Sequence, residues 1–200
     1  MALSFGSGLI IGLGLIVAIG AQNLLVLQYG IQKNHPALTA LICIVCDATL
    51  ILAGVLGLGT LLQTFPQVIE WFRWLGALWL VILAGRNFRV ALSSSALTAA
   101  SSDTTKSAKI VITTTLAVTL LNPHVYLDTV ILLGGISTQY AQPLMFAAGA
   151  ITGSVLWFSG LAFAGVQLAP WLSRPKVWRV LNFLIAILLL VIAWQLAVVR

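Results

Sequence analysis

The sequence predicts an all-α integral membrane protein: six transmembrane helices in a 3+3 inverted-topology repeat, with helices 1 and 4 broken. Three observations predict it. Of 200 residues, 60% are hydrophobic and 7% charged, with a mean hydropathy of +1.10; a soluble domain carries roughly 25% charged residues. Six apolar stretches reach the ~20 residues that a spanning helix needs. One longer polar loop, SSSALTAASSDTTKSAK at 93–109, separates them three and three. An odd number of spans in each half sets the halves in opposite orientations. The expected units are a first three-helix repeat at 1–92, a flexible cytoplasmic linker at 93–108 and a second three-helix repeat at 109–200.

The first stretch, 4–27, lacks a basic leader and runs on without a small-residue cleavage site, so it reads as a spanning helix rather than a removed signal. Its Gly6, Gly8, Gly12 and Gly14 read as packing surface, since small residues let helices approach closely. It closes on Gly20-Ala21-Gln22-Asn23, where two amides offer donors and acceptors to a polar ligand. The second stretch, 37–62, places Asp47 well inside it, near the midplane at a rise of ~1.5 Å per residue. A carboxylate there costs about 2.5–3.5 kcal/mol on insertion scales and is rarely kept for packing. Its alternative is an ion pair with Arg73, Arg86 or Lys109, which lie near helix ends. Cys43 and Cys46 form a C-x-x-C in this apolar helix and read as small hydrophobes. Gly54, Gly57 and Gly59 read as close packing.

The third stretch, 68–91, opens with Glu70 and Arg73, spaced to suit a local interfacial pair. The fourth, 109–136, is interrupted at Asn122-Pro123-His124-Val125-Tyr126, followed by Asp128. Proline removes a donor and pushes away the carbonyl one turn earlier. In a membrane such carbonyls are tolerated only against protein or a wet cavity. The fifth and sixth stretches are 143–168 and 177–199. Pro36, Pro66, Pro143 and Pro175 sit at or near helix starts, where a missing N–H is harmless. Trp71, Trp74, Trp171 and Trp178 suit an interfacial belt, and His35 falls in the first loop as a solvated residue.

Eight of the ten basic residues (Lys33, Arg86, Arg89, Lys106, Lys109, Arg174, Lys176 and Arg179) fall on one side of this arrangement. The positive-inside rule makes that side cytoplasmic and puts both termini outside. The pI near 9.9 reflects this bias and does not indicate nucleic acid as a partner. No nucleotide loop, nucleophile–base pair or hydrolase signature occurs, so neither an enzyme nor a cofactor is expected. His124 beside scattered carboxylates is a poor metal signature, because transition-metal sites want three or four clustered ligands.

The segments GLIVAIGAQNLLVLQYGIQ, CDATLILAGVLGLG and LNPHVYLDTVILLGG together resemble the LysE/ArgO family of basic amino acid exporters over essentially the whole chain. The chain departs at Leu24-Leu25, where that family often has an aromatic residue. The resemblance implies export of L-arginine and/or L-lysine from a bacterial cytoplasm, across the inner membrane. It places Gln22, Asn23, Asp47, Asn122, Pro123, His124 and Asp128 on motif positions. Gln22, Asn23, Asp47, Asn122, Pro123, His124 and Tyr126 are the expected substrate-binding residues, with Asp47 and Asp128 as the proton-coupling ones. The partners would then be a basic amino acid, protons and the lipid bilayer; small-residue faces on helices 1 and 2 also permit a homodimer. Two other readings stand beside this one: a membrane thiol-redox carrier using Cys43 and Cys46, and a metal-cation exporter using His124 with both aspartates.

Overall fold

The computed structural model describes residues 1–18, 20–58, 66–92, 107–172 and 174–198, and among them only helices and turns occur. The helices are α1 (Ala2–Ile16), α2 (Ala21–Ile31), α3 (Pro36–Ala53, extended by a π-helical turn Gly54–Leu58), α4 (Pro66–Leu92), α5 (Ala108–Leu120), α6 (Pro123–Ser137), α7 (Pro143–Leu172) and α8 (Pro175–Val198). Among the described residues, four segments are long and apolar enough to cross a membrane unaided: Pro36–Gly57, Arg73–Leu92, Pro143–Leu172 and Lys176–Val198. Two bent pairs bring the total to as many as six. The α1–α2 pair bends by 79° and the α5–α6 pair by 61°. These are the two broken helices that the glycine-rich and Asn-Pro segments predict. The chain is a multi-pass all-α membrane protein. The expected linker at 93–108 lies almost wholly outside the described residues.

Helix α7 is the central post. It packs on α1, α2 and α3, while α4 pairs with α8 and α3 meets α5. The α1–α7 contact is backbone against backbone. A Cβ on Gly8 would strike the Phe146 carbonyl, and one on Gly149 would strike the Phe5 carbonyl. Gly12 continues the seam, where a Cβ would meet the Ala150 Cα at 2.8 Å. Gly6 and Gly14 have open space instead, so only half of the predicted glycine surface packs within the chain. In α3, Gly54 lies on the Val130 backbone of α6, whereas Gly57 faces open space and takes φ +100°, a conformation that glycine adopts without penalty. Gly59 lies outside the described residues.

Among the described residues, apolar packing forms three clusters. The largest joins α2, α4, α5 and α8 through Leu25, Leu80, Val118 and Leu189. A second holds Val26, Cys43 and Phe158, and a third holds Ile51, Leu133 and Phe146. An amide clasp ties α2 to the α4–α8 pair. Gln28 Nε2 donates to Asn87 Oδ1 (2.8 Å) and to Asn182 Oδ1 (3.1 Å). Asn87 and Asn182 donate in turn to the Leu83 and Trp178 carbonyls, at 2.9 and 2.7 Å.

The outer surface follows expectation with one correction. Trp71, Trp74 and Trp171 are exposed, but Trp178 is buried at 4%. It lies one turn before Asn182, on a part of α8 that faces protein rather than a lipid interface. Glu70 and Arg73 form the predicted pair, the one ion pair among the described residues. His35 is exposed, as predicted.

Candidate functional site at two helix breaks

A helix that stops inside a membrane leaves backbone groups that need partners. At the first break, Gly20 is extended (φ −131°, ψ 167°). Asn23, in the first turn of α2, reaches back across the gap. Its Nδ2 donates to the Ile16 and Ala18 carbonyls at 2.9 and 2.8 Å. Its Oδ1 accepts from Trp157 Nε1 of α7 at 3.1 Å. Both amide hydrogens of Asn23 are thus engaged in holding the break.

The second break is closed similarly. Asn122 is extended (φ −89°, ψ 108°), and its side chain accepts from the His124 backbone N–H at 3.2 Å. Tyr126 Oη donates to the Leu120 carbonyl, on the far side of the break, at 2.8 Å. Pro123 is buried at the start of α6. A π-helical stretch, Tyr126–Leu132, follows immediately and carries Asp128. π-Bulges inside helices frequently mark functional sites.

Between the two breaks lies a cavity of about 240 Å³. That is below the roughly 300–1,000 Å³ of pockets for drug-sized ligands, so the space suits a small solute. Gln22, Asn23, Asp47, Asn122, His124 and Asp128 line it. Two predicted residues, Pro123 and Tyr126, are not in its lining and instead shape the second break. Asp47 is 2% exposed and has no ion-pair partner among the described residues. Its Oδ2 accepts from Ser154 Oγ of α7 at 2.8 Å. Gln22 Nε2 lies beside the carboxylate, buried, without closing a hydrogen bond. The expected alternative, pairing with Arg73, Arg86 or Lys109, does not occur.

Sequence reading missed Ser154, Trp157, Thr129 and Gln195. Ser154 and Trp157 sit in GAITGSVLWF, where a polar residue after two glycines is the only cue. Cys43 and Cys46 are both buried and unpaired, Cys43 within an apolar cluster. Replacing both with alanine should leave transport within about twofold of the starting protein, as burial without a disulfide fits a packing role; loss of activity in that variant would restore the thiol reading. Among the described residues, no three His, Cys, Asp or Glu side chains group closely enough to hold a metal ion.

The model of the family described as LysE type translocator matches residues 13–200. The protein YggA of Aeromonas salmonicida, named as a candidate amino-acid transporter, is 43% identical over 192 residues, covering 95% of this chain and 93% of its own. Two proteins named Arginine exporter protein ArgO are also similar. That of Pectobacterium carotovorum subsp. carotovorum (strain PC1) is 37% identical over 195 residues, covering 96% of each chain. That of Salmonella schwarzengrund (strain CVM19633) is 39% identical over 193 residues, covering 95% of this chain and 91% of its own. No solved structure matches the chain.

Proposed function

The chain belongs to the LysE type translocator family, and from that premise we propose that it exports arginine and/or lysine from the bacterial cytoplasm by proton antiport. A transporter of amino acids is what the family and the relatives support; the two substrates and the coupling ion are our reading. One observation carries it. Asp47 is a buried carboxylate that faces a solute-sized cavity and is held by a neutral hydroxyl rather than by a cation. Such a group holds either a proton or a cationic amino acid. That competition is what antiport requires.

The energetics point the same way. Moving a monovalent cation out of a negative-inside cell is uphill by about 2.3 kcal/mol per 100 mV. A passive pore would run inward at equal concentrations. Breaks fall in the first span of each half, 1–92 and 109–200, which supports an inverted repeat whose halves rock about the cavity. With both termini outside, the Gln28–Asn87–Asn182 clasp lies on the cytoplasmic side, near Arg86 and Arg179. Asn182 is separated along α8 by several residues from Ile192 of the cavity wall. The cavity then faces outward, with the clasp as its inner seal.

Counterflow in proteoliposomes tests the function. Labelled arginine and lysine should exchange, and an imposed pH gradient should drive net accumulation. Exchange without any response to the gradient would sink proton coupling and leave export standing. The clasp has its own test. Asn182→Ala leaves Gln28 with one amide acceptor, so a several-fold rise in proton leak is expected in liposomes without amino acid. An unchanged leak removes the clasp from the gate.

A further inference from the structure

The charge inventory of the cavity is one-sided. Two carboxylates line it, Asp47 from α3 and Asp128 from α6. Among the described residues, no lysine or arginine is in the lining. A basic amino acid brings two cationic groups and one anionic group. Its cations meet charged partners. Its carboxylate meets the His124 imidazole and uncharged donors along this wall, the foremost of the latter being the unpartnered Nε2 of Gln22, a residue 8% exposed.

We infer that the same cavity accepts amines with a cation at each end and no carboxylate, the decarboxylated counterparts of basic amino acids. This rests on the reading of the cavity as the basic-amino-acid site. Removing the carboxylate forfeits hydrogen bonds to a charged acceptor, each worth roughly ten- to a hundredfold in affinity, and what offsets that loss is electrostatic. It also removes a negative charge from beside two others. Removing the side-chain cation instead strips a buried carboxylate of its partner, which is the costlier change. Leu15, Ile16 and Phe158 supply apolar wall for the methylene spacer that both ligand classes share. The ranking follows from charge: the dication close to the amino acid, the neutral analogue far below.

Calorimetric titration of the purified protein in nanodiscs reads this directly, with L-arginine, agmatine and L-citrulline as probes. Agmatine should bind within tenfold of arginine, and citrulline at least a hundredfold more weakly than arginine. Gln22→Ala should cut arginine affinity several-fold more than agmatine affinity, because only arginine uses that donor for a carboxylate. If arginine binds and agmatine is more than tenfold weaker, the inference is overturned and the exporter reading is untouched. If arginine itself fails to bind, the exporter reading falls, and the inference falls with it.

Discussion

Asp47→Asn should abolish gradient-driven export, with a loss of at least about a hundredfold in transport rate. Removing one partner of a buried ion pair costs roughly 3–5 kcal/mol, and each 1.4 kcal/mol is tenfold. The amide keeps the shape of the carboxylate and can still accept from Ser154 Oγ, so the chain should insert and fold. On the proposed mechanism it loses the charge for the amino acid cation and the site for the proton. The measurement is arginine accumulation in proteoliposomes under an imposed pH gradient, normalised to inserted protein. Rates equal to those of the starting protein would show that Asp47 holds neither ion.

Gly149→Val should leave little protein folded. The Phe5 carbonyl occupies the place of a side chain at 149, and the Leu9 backbone N lies 2.8 Å from the same point. Both obstacles are backbone, so neither can rotate aside and α1 must separate from α7. Overpacking alone costs about 1–3 kcal/mol, and separation of the two helices would add the loss of the Gly8 and Gly12 contacts. Gly160 is the internal control, since its Cβ would meet nothing within 4 Å. Size-exclusion profiles of detergent-extracted protein should show the Gly149 variant lost or aggregated and Gly160→Val largely intact. Matching profiles would refute the tight α1–α7 seam.

The outline of the fold was legible because its signals are local. Apolar runs and starting prolines marked the spans, and Pro123 and the Gly20 neighbourhood marked the breaks. Asp47 stood out because a charge is so costly in that setting. The partners of these groups were not legible, since they come from far along the chain. Ser154 meets Asp47 across 107 residues, and Trp157 meets Asn23 across 134. Serine in an apolar helix more often bonds its own preceding turn, so its type alone says nothing of a carboxylate. Asn23 was legible as a polar residue, but its commitment to the Ile16 and Ala18 carbonyls depends on the direction of the bend. Trp178 follows the interfacial pattern by position, yet the pairing of α8 with α4 buries it.

The shortness of the half-helices has an electrical consequence. Helices α1 and α5 stop at Ile16 and Leu120, each well short of a full span. A bilayer's hydrocarbon core is about 30 Å thick and takes roughly 20 helical residues to cross. A water-filled recess shares the voltage of the solution it opens onto. If the cavity between the breaks opens outward, as the proposed function requires, the electric field is compressed into the dry layer beneath it, thinner than the bilayer itself. On that reading an ion held at the floor of the recess would need to travel only a short way to cross most of the field, so a small rearrangement would carry out most of the electrical work of expulsion.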